Sequence, residues 1–167
     1  LNHDKQPSTN GFIKSGHYDE EKEDEADLLT PPRSPLVVQS SKPLLLRPAD
    51  DSAKITFGST VNSSDSTRRD ITINNAGDEV LFSGIVGGTN GVGDISVSGA
   101  LDLDANIADA SSLSISQASN IGANVTTTNT QTYTGNTILS ASNTLTTTNS
   151  NVVFSGTVNS DSTTRDL

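Results

Sequence analysis

From Ile55 onward, apolar residues alternate with small polar ones over short stretches. Examples are Ile55-Thr56-Phe57, Ile71-Thr72-Ile73, Ile95-Ser96-Val97, Leu101-Asp102-Leu103 and Leu113-Ser114-Ile115. A period of two puts the aliphatic side chains on one face of a strand and the hydroxyls and carboxylates on the other. Turn-forming runs separate these segments, among them Asn74-Asn75-Ala76-Gly77, Gly87-Gly88-Thr89-Asn90-Gly91 and Ser119-Asn120. No stretch sustains a helical period, and the abundance of Thr and Asn disfavours helix throughout. The pattern predicts an all-β chain of many short strands.

A longer pattern lies over the alternation. Phe82 to Ile95 and Phe154 to Leu167 share the phrase Phe-Ser-Gly-[Ile/Thr]-Val-[Gly/Asn], then six residues, then Asp and an aliphatic residue. A third copy, Phe57 to Ile71, has one extra residue after Ser63 and Gly-Ser in place of Ser-Gly. Reuse of one small unit is the signature of architectures in which neighbouring units must stack to bury a core. Phe57 and Phe82 are 25 residues apart and Phe82 and Phe154 are 72 apart, so both intervals fit coils of about 24 residues. Short strands also suit a sandwich or an antiparallel barrel. However, only Phe57, Phe82, Tyr133 and Phe154 are aromatic after residue 53, which is meagre for a sandwich core. Residues 54–167 are therefore expected to form a parallel β-solenoid of about four to five coils. On this reading Phe57, Phe82 and Phe154 occupy corresponding places, and turn asparagines such as Asn62 and Asn159 stack.

Composition divides the chain near residue 53. All six prolines lie at or before Pro48, every lysine lies at or before Lys54, and both histidines, His3 and His17, fall in the same stretch. Asp19 to Asp27 holds seven carboxylates and one lysine in nine positions, with Ala26 its only apolar residue. Such a segment cannot offset the entropy of ordering by burial. Thr30-Pro31-Pro32-Arg33-Ser34-Pro35 removes backbone donors and disfavours helix. Residues 1–53 are therefore read as a disordered, acidic and proline-rich segment. Thr30-Pro31 and Ser34-Pro35 have the minimal form of proline-directed phosphorylation sites, but dipeptides this short occur in most chains. The acidic run lacks the Asp/Asn and Gly spacing of a calcium loop, and His17-Tyr18-Asp19-Glu20 reads as tail, not as a metal site.

The charge of −10 argues against nucleic acid, which selects clustered Lys and Arg, and against docking on an anionic bilayer. With no cysteine, neither a disulfide framework nor a thiolate metal site can form. Leu44-Leu45-Leu46, between Pro43 and Pro48, is far too short to span a membrane, and no secretory signal is visible. The chain starts at Leu1, and its last copy of the phrase stops at Leu167, where the first continues into Thr72-Ile73. The expectation is an internal piece of a longer protein.

Val125-Thr126-Thr127-Thr128-Asn129-Thr130-Gln131-Thr132-Tyr133-Thr134-Gly135-Asn136-Thr137-Ile138-Leu139 resembles a repeated Thr-Thr-x-x-Gln-Thr-Tyr phrase ending in Leu. It continues through Thr144-Leu145-Thr146 to Val152-Val153-Phe154-Ser155-Gly156-Thr157-Val158. Over about residues 55–167 the chain resembles the repeats of filamentous-haemagglutinin-like exoproteins, large bacterial surface adhesins. The resemblance implies a right-handed parallel β-helix, export through an outer-membrane transporter, a secreted or cell-surface location, and attachment or biofilm formation. Host, cell or abiotic surfaces and glycans are the partners it implies. The family's N-terminal secretion domain has no counterpart in this sequence, and neither does the family offer one for residues 1–53.

Reaction chemistry finds little support. Asp102 and Asp104 would share a strand face, the arrangement that paired carboxylates of a polysaccharide lyase or hydrolase require. Yet after Lys54 the only cations are Arg68, Arg69 and Arg165. An outward solvated face opposite Leu101 and Leu103 is the simpler account. Arg68, Arg69 and Asp70 are expected to pair at a turn, and Arg165-Asp166 recurs at the equivalent place. Gly87 to Asp94 echoes a glycine-rich calcium repeat, but in the wrong register and in a single copy. Thr126, Thr128, Thr130, Thr132 and Thr134 would align on one strand as an ice- or crystal-binding row, with Thr144, Thr146 and Thr148 as a partial second row. The reading is a non-catalytic structural or adhesive segment with no catalytic, cofactor or metal residues and no cofactor.

Overall fold

The computed structural model describes residues 36–38, 44–46 and 54–167. The expected disordered stretch around Asp19 to Asp27 and the Thr30–Pro35 run lie outside the described residues. In chain order the strands are β1 (Leu36–Val38), β2 (Leu44–Leu46), β3 (Ile55–Phe57), β4 (Val61–Ser63), β5 (Ile71–Ile73), β6 (Glu79–Phe82), β7 (Val92–Val97) and β8 (Ala100–Leu103). They continue with β9 (Ile107–Ile115), β10 (Ser119–Ile121), β11 (Val125–Thr127), β12 (Gln131–Tyr133), β13 (Thr137–Leu139), β14 (Leu145–Thr146), β15 (Val152–Phe154) and β16 (Val158–Ser160). Every pairing is parallel, and there is no helix among the described residues. The expected parallel β-solenoid is what the chain forms.

The chain visits three faces in rotation. On the first face Leu36, Val61, Val86, Ile107, Val125 and Leu145 lie in register. The second aligns Leu44, Ile71, Ile95, Leu113, Gln131 and Val152. The third aligns Ile55, Val80, Leu101, Ser119, Thr137 and Val158. β9 bends through the corner between the first and second faces and joins their strands into one sheet. About four windings have neighbours both above and below. β1 and β2 pair with β4 and β5, so the stack includes two short strands from residues 1–53, the segment read as disordered.

The alternation seen in the sequence decides which side chains enter. The first and third residues of each triplet point inward, giving a core that includes Ile71, Ile73, Ile95, Val97, Leu101, Leu103, Leu113 and Ile115, all essentially inaccessible. Each such side chain contributes about 1.5–3 kcal/mol by leaving water. Because each winding is a single strand deep, its walls are shared with the windings on either side, which is why one winding alone would not hold.

Corners follow a simple spacing. At many of them the last inward position of one strand lies four residues before the first inward position of the next, as from Phe57 to Val61, Phe82 to Val86, Leu103 to Ile107, Ile121 to Val125, Tyr133 to Thr137 and Phe154 to Val158, whereas Ile73 to Val80 takes seven. Hence the Phe-Ser-Gly-x-Val phrase marks a corner and not a fixed place on the circumference. Its glycine is needed where windings touch: a Cβ on Gly84 would fall inside the Ser59 backbone, and one on Gly156 inside the Gly135 carbonyl.

This geometry corrects two expectations. Phe57 stacks on Phe82 on the third face, with ring centroids 4.7 Å apart. Phe154 instead lies on the second face, stacked on Tyr133 at 5.0 Å. The copy that begins at Phe154 is thus rotated by one face, and the 72-residue interval does not count whole windings. Nor is the winding length uniform. Ile71 to Ile95 takes 24 residues, Leu101 to Ser119 and Ser119 to Thr137 take 18 each, and Gln131 to Val152 takes 21. Loops at the corners absorb the difference, because parallel register constrains the strands and not the corners.

Candidate functional surface

With the aliphatic positions turned inward, the middle residue of each triplet forms the outer surface. On the second face this row is Thr72, Ser96, Ser114, Thr132 and Val153, one per winding and in register. Strand spacing sets these groups about 4.8 Å apart. No charged side chain occupies the row, and its side chains are small, so the face is shallow and rich in hydroxyls. Along one edge, the Asp70 carboxylate accepts the Asp94 backbone N–H at 2.8 Å, and Asp94 in turn accepts the Ser112 hydroxyl at 2.7 Å. Along the other, the Ser98 hydroxyl donates to Asn74 Oδ1 at 3.0 Å.

The third face is more mixed. Its outer row reads Thr56, Leu81, Asp102, Asn120, Ile138 and Asn159. Asp102 accepts Asn120 Nδ2 at 2.9 Å, while Asp104 is exposed at the following corner. Leu101 and Leu103 are buried behind them. The Lys54 ammonium pairs with Glu79, and that hydrogen bond, followed by the charges of Glu79, Asp102 and Asp104, raises its pKa despite slight desolvation. Asp102 is therefore engaged in a cross-winding amide contact. Among the described residues no three His, Cys, Asp or Glu side chains converge as metal ligands.

One arginine acts between windings, and two act within their own loops. Arg68 does not pair with its neighbour Asp70, as the sequence suggested. Its Nη2 donates to both carboxylate oxygens of Asp109 at 2.7 and 2.8 Å, and its Nη1 to the Val92 carbonyl at 2.9 Å. Arg69 bonds Asp65, whose carboxylate also accepts the Thr67 N–H at 2.7 Å. Arg165, Asp161 and Thr163 repeat that arrangement. The shared Asp-Ser-Thr-x-Arg-Asp loop is a structural module, as its recurrence suggested. The hydrogen bonds from Arg69 and Thr67 hold Asp65 well below the usual carboxylate range, and those from Arg165 and Thr163 lower Asp161.

The other candidates resolve in the same terms. Gly87, Gly91 and Gly93 lie where any Cβ would strike Asp109, Arg68 or Asp70, so the glycine run serves close packing of the corner. The expected threonine row does not exist as one strand. Thr126 lies on the first face beside Thr146, whereas Thr132 lies on the second between Ser114 and Val153. A regular threonine lattice is therefore absent from these faces, and the ice-binding reading loses its basis. Asn62 and Asn159 lie on different faces and do not stack.

A different set of asparagine contacts links the windings. Asn106 Oδ1 accepts the Asn124 N–H at 3.0 Å and Asn124 Oδ1 accepts the Thr144 N–H at 2.8 Å. Asn136 Oδ1 accepts the Thr157 N–H at 3.2 Å and Asn62 Oδ1 accepts the Thr89 N–H at 2.9 Å. Each of these side chains, Asn62 from within β4 and the others from corners, satisfies a backbone donor in the next winding, which short side chains ending in an acceptor do well. The signal available in the sequence was the recurrence of Asn at corner positions, directly before Ile107, Val125 and Thr137.

Comparison with protein-family models, with curated proteins and with solved structures returned no match.

Proposed function

We propose that this chain is a non-catalytic structural and adhesive segment of a secreted or surface-displayed bacterial protein, in keeping with its resemblance to filamentous-haemagglutinin-like repeats. The observation that carries the reading is the second face, where four successive windings present Thr72, Ser96, Ser114 and Thr132 as an uncharged row of hydroxyls. Such a row offers both donors and acceptors at a fixed repeat, which suits many weak contacts with host, cell or abiotic surfaces, glycans included. Individual contacts of this kind are weak, and avidity makes them effective.

Adsorption of the purified chain to cells, glycan arrays and abiotic beads tests the proposal, with a Ser96→Arg/Ser114→Arg variant as control. The expected result is retention of the parent and at least a several-fold loss in the variant, with unchanged circular dichroism. Retention no better than that of an unrelated β-protein, or release of reducing ends from polysaccharide, would reject it.

A further inference from the structure

The interior changes character in the winding from Ser119 to Leu139, where Ser119, Thr127, Gln131 and Thr137 are buried. Most of their polar atoms are matched. Gln131 Nε2 donates to the Thr146 carbonyl at 2.9 Å, its Oε1 accepts the Tyr133 hydroxyl at 3.1 Å, and Thr127 Oγ1 donates to the Asn129 carbonyl. These bonds serve the first and second faces.

On the third face, Ser119 and Thr137 lie in register in adjacent windings, 3% and 0% exposed. Ser119 Oγ and Thr137 Oγ1 have no hydrogen-bond partner in the protein. Their column holds Val80 and Leu101 in the preceding windings, so at Ser119 the side chain has half the heavy atoms of the leucine beside it. Tyr133, the largest fully buried side chain nearby in sequence, belongs to the second face. Its ring stacks on Phe154 and its hydroxyl is tied to Gln131 on its own strand. Buried hydroxyls are regularly satisfied by ordered water where polar partners and room coincide.

We infer that Ser119 Oγ and Thr137 Oγ1 form an internal water site, with one molecule bridging the two windings. Each hydroxyl both donates and accepts, so the pair offers the polar partners such a water needs. Val158, next in the column, is 39% exposed.

A high-resolution crystal structure of the full chain should show one ordered water within hydrogen-bond reach of both oxygens. A direct hydroxyl–hydroxyl contact, or closed packing without density, would overturn the inference. A thermal double-mutant cycle gives a second reading. With a bridging water, Ser119→Ala and Thr137→Val each lower the midpoint by about 2–4 °C, and the double variant loses less than their sum. Additive increases from both single variants would instead mean that the two hydroxyls are independently orphaned.

Discussion

Arg68 grips Asp109 from two windings away, with both carboxylate oxygens within 2.8 Å of one guanidinium nitrogen. The pair crosses over Val92, whose carbonyl takes the second nitrogen, so a single side chain fastens three successive windings. Both partners are about a third exposed or more, so solvent screens much of the attraction. Arg68→Ala is expected to lower stability by only about 1 kcal/mol, the added bond to the Val92 carbonyl placing it at the upper end for surface pairs. A urea double-mutant cycle with Asp109→Ala checks this; a coupling near zero would mean the contact is decorative.

Close approach at the corners should matter more. A Cβ on Gly84 meets the Ser59 backbone, which cannot swing aside as a long side chain can. Gly84→Ala should cost more than about 2 kcal/mol in urea unfolding. Gly77→Ala meets no neighbour, yet its φ of +103° is strained for any L side chain. That substitution should cost about 1–2 kcal/mol.

The two aromatic stacks should differ sharply. Phe82 is fully buried with windings on both sides, whereas Phe154 is partly exposed in the last described winding. Phe82→Ala is expected to cost about 3–5 kcal/mol and Phe154→Ala clearly less, by equilibrium unfolding. Equal losses would contradict the placement of Phe154.

Stability should fall at both pH extremes for separate reasons. Asp65 and Asp161 titrate below their ordinary value of 3.8 when folded, because Arg69 and Arg165 hold their ionised forms. Their contribution is complete above 3.8 and is lost as pH falls below it. At the alkaline end, burial raises the Tyr133 hydroxyl above its ordinary 10.0, so the unfolded chain releases its proton first. Stability is therefore lost as pH climbs past 10.0, and Tyr133→Phe should remove that alkaline limb. Thermal midpoints measured across the pH range test both limbs, and an unchanged alkaline limb in Tyr133→Phe would rule out the assignment.

Some of this was legible from residue order. The triplets Ile71-Thr72-Ile73 and Leu113-Ser114-Ile115 told which side chains enter the core, because strand geometry forces alternation whatever the fold. The six-residue step through Leu101, Ile107, Leu113, Ser119, Val125, Gln131 and Thr137 was also present, and gives the 18-residue winding directly. It was masked because Ser119, Gln131 and Thr137 break the apolar code at inward positions. The Arg68–Asp109 contact left no such trace, since 41 residues separate partners that only stacking brings together.

Residue order by itself determined the alternation, the corner phrase and the need for windings to stack, since all three depend on neighbours along the chain. Which face each copy of the phrase would occupy, and which polar groups would meet across windings, depended on the lengths of the intervening loops. Those lengths set the phase of every later strand. Phe154 accordingly met Tyr133 and not Phe82, a result that only closure of the successive windings could decide.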